Sequence, residues 1–340
     1  MDGVAMTAHN YAYWLHQRQQ DVCVVTPSAP ESSQLISQQP FPIYCYHSIP
    51  ILVRKPYRYG LPYTDYEFMR KFKSLPFDLV HAHCPFTSGH LALKVAKKQH
   101  IPMVATFHSK YRQDFERAVK SKKIVDVAIK RLIHFYEQAD EVWIPQAAVE
   151  PTIREYGFKG HVEVVENGND FVTPFPQIKQ MKREMREQLR IKNGEVMLLF
   201  VGQHIWEKGI GLTLEALSTI KHLPWRFFMI GTGYAVHEIR KRIRDFGMSD
   251  KITLVGNILD REQLKRYYAA SDIFLFPSMY DNAPLVIREA AALHTPTIMC
   301  AGSTSSEVIR DGVNGWLTPS DPSSYAALIS YLTEHRQNIE

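Results

Sequence analysis

A chain of 340 residues exceeds what one hydrophobic core usually serves, so two domains of roughly 150 to 170 residues are expected. With 45% hydrophobic and 22% charged residues both domains can have proper cores, which excludes a disordered chain. A net charge of +5 is too small over this length to argue for nucleic acid, and the four scattered cysteines, Cys23, Cys45, Cys84 and Cys300, contain no C-x-x-C pair, which suits a reducing compartment and buried apolar roles and argues against zinc. No run of about 18 apolar residues and no basic, then apolar, export leader is present, so the expected location is cytoplasmic.

In chain order, residues 6–19 have helical apolar spacing and 22–26 form a short strand stopped by Pro27. A loop rich in Pro and Ser follows. Strands are expected at 43–46, 79–82, 103–107, 141–145 and 162–165, with helices at 66–75, 86–98, 110–138 and 147–156 between them. After Asn167-Gly168 and the prolines at 174 and 176 the alternation restarts. Strands at 197–201, 226–230, 252–255, 273–276 and 297–300 alternate with helices at 211–220, 236–246, 262–270, 285–293 and 324–333. Strands alternating with helices predict parallel sheets covered on both faces: an α/β chain of two Rossmann-like, doubly wound domains, 1–170 and 171–340, with a binding crevice between the carboxyl edges of their sheets.

The long helical stretch 110–138 is locally basic. Lys110, Arg112, Arg117, Lys120, Lys122, Lys123, Lys130 and Arg131 stand against Asp114, Glu116 and Asp126, with Phe115, Val119, Ile124, Val127, Ile129, Leu132 and Ile133 interleaved. Residues 110–131 suit an anionic membrane surface, a peripheral contact at its inner face, as well as they suit a solvated helix with one core-facing stripe.

Several constellations carry chemistry. Asp281-Asn-Ala-Pro-Leu-Val-Ile-Arg-Glu289 follows the strand at 273–276 and sets two carboxylates eight residues apart, with Asn282, Ala283 and Pro284 as helix-start residues. That is the layout of a clamp for a phosphorylated sugar: backbone N–H groups at the helix start for the anion, carboxylates for hydroxyls. Gly202-Gln-His-Ile-Trp-Glu-Lys208-Gly209 lies between a strand and a helix, where two glycines and a lysine make an anion site that is not a P-loop. Gly231-Thr-Gly233 is a second close-approach loop. His81-Ala-His83 and Thr106-Phe-His108-Ser109 end two strands of the first domain; no Asp or Cys completes a metal set with them, so no metal site is expected. Gly302-Ser-Thr-Ser-Ser-Glu307 reads as an anion loop at a helix start with Glu307 as capping-box partner, and Asp311-Gly-Val-Asn-Gly315 as a turn into a short strand.

Together with Asp2-Gly-Val4, Val24-Val-Thr-Pro27, His81-x-His83-x-Pro85-Phe86, Glu166-Asn-Gly168, Phe276-Pro-Ser278 and Thr295-Pro296, these motifs resemble the retaining, nucleotide-sugar-dependent glycosyltransferases of the GT-B fold, the family 4 or group 1 branch. The resemblance implies a transferase that moves a sugar from a nucleoside diphosphate sugar, a UDP-sugar or alternatively a GDP-sugar, to a lipid or saccharide hydroxyl without a metal. It implies that Glu289 holds the donor ribose, Asp281 stands where the family usually has a glutamate near the donor sugar or phosphate, Lys208 holds the diphosphate and His108 lies beside the reacting sugar. Donor contacts are implied for Gly3, Gly202, Gln203, Gly233, Asn282, Ala283, Pro284 and Leu285, with Gly302 lining the diphosphate region. Gln203 replaces the family's usual arginine, which either weakens diphosphate stabilisation or means that another group, such as Arg288 or His204, contributes. Against relatives of this kind the chain is expected to lack the first strand of domain one and the terminal crossing helix of domain two, leaving the first domain the less stable. A nucleotide-sugar-binding module without turnover is the alternative that these departures favour.

Overall fold

The computed structural model describes residues 3–29, 36, 39–51 and 58–339. Asp2 and much of the Pro- and Ser-rich loop lie outside them. The chain divides into two compact units, Met1–Gly168 and Asn169–Glu340.

In the first unit β1 (Val24–Pro27) and β2 (Ile43–Tyr46) pair in parallel, while β3 (Ser48–Pro50) and β4 (Arg58–Gly60) form a small antiparallel pair that the spacing did not announce. A separate parallel sheet runs in the order β5 (Val80–Ala82), β6 (Met103–Thr106), β7 (Glu141–Ile144), β8 (Glu163–Val164). The amino-terminal helix is present from Gly3, earlier than expected; the Thr7 hydroxyl donates to the Gly3 carbonyl at 2.9 Å, and Thr7, Asn10 and Ala12 are buried. Gly3 is therefore a helical residue and not part of a loop.

The predicted helix 110–138 is two helices, Tyr111–Ala118 and Lys122–Tyr136. The break falls at Val119, which is extended at φ −137°, ψ 120°, while the Ser121 carbonyl starts the second helix by accepting from Ile124 and Val125 N–H. Both helices pack into one core, the first through Tyr111 and the second through Val125, Ile129, Leu132, Ile133 and Tyr136, at helical spacing.

The second unit holds one parallel sheet in the order β11-β10-β9-β12-β13-β14, comprising β9 (Val196–Val201), β10 (Trp225–Ile230), β11 (Ile252–Gly256), β12 (Ile273–Leu275), β13 (Thr297–Cys300) and β14 (Gly315–Thr318). All six residues of β9 are buried. Each apolar side chain so placed contributes about 1.5 to 3 kcal/mol, which is why the least polar strand takes the centre. The chain lays β10 and β11 on one side of β9, then crosses to place β12 on the other. The sheet order thus reverses between β9 and β12, which makes their carboxyl ends a topological switch point.

One helix was not anticipated, Phe175–Gln188. Its polar composition hides a stripe of Ile178, Met181 and Met185, which packs on the core through the helix Arg261–Ala270. Of the cysteines, Cys300 is buried and the other three are half-buried.

Candidate functional site

The switch point of the second unit collects the loop after β9 and the loop after β12. Gly202 donates its N–H to Ile230 O at 3.0 Å, His204 N–H to Thr232 O at 3.0 Å, and Ala235 N–H to His204 O at 3.0 Å, so the loops after β9 and β10 are zipped backbone to backbone. Gly231 is required here. Its φ is +131° and a Cβ would sit 1.9 Å from the Gly202 carbonyl oxygen. Gly209, at φ +74°, lets the same loop close on Pro277, whose carbonyl oxygen is 2.7 Å from where a Cβ would be.

This close approach delivers Lys208 to Asp281. The ammonium pairs with Asp281 Oδ1, with the Lys208 side chain only 13% exposed, and lies 5.7 Å and 5.8 Å from the ring centres of Phe276 and Tyr280. Ser278 Oγ donates to Asp281 Oδ2 at 2.6 Å and itself accepts from Tyr280 N–H at 3.3 Å, which fixes the carboxylate plane. Ser278 entered the sequence reading only as part of a motif. Asn282 is buried, Ala283 and Pro284 lead into the helix Leu285–Ala292, and Pro284 stands at its N-cap, so Leu285 is its first residue. The first N–H groups of such a helix have no intrahelical acceptor and favour an anion.

Glu289 sits in a different network. Its side chain is 5% exposed; Arg261 Nη2 donates to Oε1 at 2.8 Å and the Tyr268 hydroxyl to Oε2 at 3.0 Å. Arg261 also forks onto Asp170, with Nε to Oδ2 at 3.1 Å and Nη2 to Oδ1, and stacks 4.2 Å from the Phe171 ring centre. Burial pulls the Arg261 pKa down, but the hydrogen bonds and charges of Asp170 and Glu289 more than offset this and hold it above the ordinary arginine value. Burial first, and the Glu289 charge next, push the Tyr268 hydroxyl well above its usual range, so it is a permanent donor. None of Arg261, Tyr268 and Asp170 had a local sequence signal: Arg261 and Tyr268 share the helix Arg261–Ala270, and the fold brings that helix to Asp170 and Glu289 on two other segments.

Gln203 is exposed, while the neighbouring His204 is 1% exposed and neither of its ring nitrogens has a partner among the described residues. Burial lowers its pKa to about 4, so the imidazole is neutral and is no substitute for the missing arginine charge. Gly233 approaches the His204 carbonyl, with a Cβ position 2.5 Å from that oxygen. Gly302 has φ +78° and precedes the 3-10 helix Thr304–Val308; the N-cap residue Ser303 donates its hydroxyl to Cys300 O at 3.1 Å and accepts no hydrogen bond from a helix N–H.

In the first unit three imidazoles cluster where β5 and β6 end. His83 Nδ1 and His108 Nε2 are 3.1 Å apart, so one carries the proton and the other accepts. His81 Nε2 meets Thr106 Oγ1 at 2.7 Å, the His81 and His83 ring centres are 4.0 Å apart, and Tyr11 covers both at 5.1 Å and 5.3 Å. Burial lowers His81 to about 4 and His108 to about 3, and burial with the neighbouring imidazoles takes His83 well below its usual value. All three are neutral at pH 7, hydrogen-bonding groups and not acids. Among the described residues no group of three or more His, Cys, Asp or Glu side chains is placed to hold a metal ion, and no helix is long and apolar enough to cross a membrane.

Comparison with known proteins adds to this geometry. A family model described as Glycosyltransferase Family 4 matches residues 1–171, and one described as Glycosyl transferases group 1 matches residues 181–339. The alpha-monoglucosyldiacylglycerol synthase of Acholeplasma laidlawii is 27% identical over 285 residues, 80% of this chain and 70% of that protein. The protein of the same description from Streptococcus pneumoniae is 26% identical over 250 residues, 72% of this chain and 56% of its own length, so the chain spans little more than half of that relative. Among solved structures, HepE of Anabaena in complex with UDP and glucose has a TM-score of 0.77 at 18% identity, covering 99% of this chain and 88% of that one. Sucrose-phosphate synthase of Thermosynechococcus elongatus has a TM-score of 0.77 at 20% identity, covering 99% and 86%. These likenesses establish two Rossmann-like units of the GT-B class, the fold expected from the sequence.

Proposed function

The chain belongs to glycosyltransferase family 4, and from that premise we propose that it moves a sugar from a UDP-sugar to a hydroxyl acceptor with retention of the anomeric configuration. The observation that carries this reading is the Lys208–Asp281 pair at the switch point of the second unit. In the proposed reaction the bond from the anomeric carbon to the β-phosphate oxygen breaks and its electron pair stays on that oxygen. The acceptor oxygen bonds to the anomeric carbon on the same face, and its proton passes to the departing phosphate oxygen. Stabilising the charge that grows on the diphosphate is the costly part. Lys208 supplies a positive charge for it by leaving Asp281, and the N–H groups at the start of the helix Leu285–Ala292 supply aligned donors. Asp281, freed from the lysine, is left as an acceptor for sugar hydroxyls, and Glu289 is assigned to the ribose. These groups provide the charge stabilisation without a metal. His108, neutral in the first unit, suits a hydrogen bond to a sugar hydroxyl. The UDP preference is supported by the nucleotide that HepE binds.

A thermal-shift panel of UDP- and GDP-sugars tests the donor assignment. UDP-sugars at a hundredfold their Kd should stabilise the protein by about 2.7 kcal/mol. A panel in which no nucleotide raises the melting temperature would sink the reading.

We assign the acceptor to a lipid, the class that the names of the two synthases describe. The helix Lys122–Tyr136 turns Ile124 and Val127, 57% and 50% exposed, outward among exposed Lys120, Lys122, Lys123, Lys130 and Arg131. Apolar tips ringed by cations fit an anionic bilayer surface, where each cation contributes about 1 kcal/mol. Vesicle flotation should show binding to anionic and not to neutral vesicles, lost in Ile124→Glu with Val127→Glu. Equal absence of binding to both vesicle types would remove the membrane surface from the proposal.

A further inference from the structure

Glu289 is held at both carboxylate oxygens, by Arg261 on one and by Tyr268 on the other. One guanidinium serves two carboxylates, Asp170 through a fork and Glu289 through Nη2, so the triad keeps one net negative charge, whereas a purely structural pair would be neutral. Arg261 and Tyr268 each take one acceptor site on a different oxygen of Glu289, which fixes the carboxylate plane and leaves one acceptor site on each oxygen. Two acceptor sites side by side on one carboxylate match two adjacent hydroxyls. A ribose presents that pair.

We infer that Arg261 is a positioning residue for the donor: its guanidinium aims the Glu289 carboxylate at the ribose hydroxyls and, through Asp170, ties that carboxylate to the segment with which the second unit begins. The inference rests on the assignment of Glu289 to the ribose made above. The tie is local and visible. Asn169 Nδ2 donates to the Arg288 carbonyl at 3.3 Å, Phe171 N–H donates to Asn169 Oδ1 at 2.8 Å, and Arg261 lies over the Phe171 ring, so residues 169–171 are bound both to the helix that carries Glu289 and to the residue that aims it. Arginine is needed because a lysine ammonium has no fork with which to hold two carboxylates in fixed planes.

Calorimetric titration with UDP and with the uridine diphosphates lacking the 2′- or the 3′-hydroxyl tests this. The wild type should lose roughly tenfold in affinity for at least one deoxy analogue, because a buried acceptor is then left unmet. Arg261→Gln should bind all three nucleotides alike, within about twofold, since an unaimed carboxylate no longer reads the hydroxyls. Arg261→Lys keeps the charge, and so guards against loss of the fold, but should fall to about threefold discrimination for want of the fork. A merely structural role would weaken all three nucleotides in parallel and leave the ratio intact. Retention of the wild-type ratio in both variants overturns the inference and spares the donor assignment; a wild type that binds UDP without discriminating either analogue also overturns it. A wild type that does not bind UDP overturns the donor assignment itself and the inference with it.

Discussion

Lys208→Ala is expected to lower turnover with a UDP-sugar by about a thousandfold, the order of effect seen when one preorganised group aimed at developing charge is removed. At an effective dielectric near 20 a unit charge about 4 Å from a phosphate oxygen contributes about 4 kcal/mol, and no other lysine or arginine occupies the loop 202–209. The deletion acts twice. It removes the cation, and it leaves Asp281, still held by Ser278, without a counter-charge from Lys208, so an unneutralised carboxylate faces the incoming diphosphate. Double substitution of Lys208 and Asp281 by Ala should therefore bind UDP more tightly than Lys208→Ala alone, although turnover stays low, because the repulsive charge is gone while the stabilising one is not restored. Steady-state kinetics and UDP titration on the four proteins of this cycle give both quantities. Full turnover in Lys208→Ala would reject the proposed chemistry.

Asp272→Ala should cost about 3 to 5 kcal/mol of stability in the second unit, the usual consequence of breaking a buried ion network at one partner. Its carboxylate is 6% exposed and accepts from Lys182 Nζ at 3.0 Å, Arg186 Nη1 at 2.8 Å and Met197 N–H at 2.8 Å, joining the helix Phe175–Gln188 to the central strand β9. Urea unfolding should show a lower midpoint with the slope unchanged; a variant as stable as the wild type would show that packing alone holds that helix.

Acid should separate the two units. Burial acts to raise the Asp272 pKa, but Lys182, Arg186 and the Met197 N–H together bring it below its ordinary value of 3.8. A carboxylate with a depressed folded pKa contributes stability that is complete above its unfolded value and lost as pH falls through the folded one, here below pH 3.8. The first unit is exposed earlier. His81 and His108, depressed by burial from 6.5 to about 4 and about 3, favour the folded state fully only above pH 6.5, and that contribution declines as pH falls toward the lower values. Hydrogen exchange at pH 5 against pH 7 should therefore deprotect residues 80–108 before residues 196–275, and Asp272→Asn should blunt only the steeper loss below pH 4.

The sequence by itself determined the class of fold. Alternating apolar runs and helical stripes place most strands within a residue or two of their positions, because a strand buried on both faces must be apolar throughout, as Val196–Val201 is. It also offered Lys208, Asp281, Glu289 and His108 as candidate site residues, since glycine-flanked loops and helix starts after strands are local signals. Where only local energies were weighed, it fell short. The helix 110–138 divides at Val119 and its halves pack against each other in one core, where Phe107 meets both Tyr111 and Tyr136, and Phe175–Gln188 forms because its thin apolar stripe finds the helix Arg261–Ala270. Only the tertiary structure decided which charges meet. Lys208 and Asp281 are 73 residues apart, and Arg261 meets Asp170 across 91 residues and Glu289 across 28. Ion pairing depends on distance in space; for Lys208 and Asp281 that distance is set by the reversal of strand order between β9 and β12 and by Gly209, which lets their loops touch, a property of the folded sheet that no short window of sequence contains.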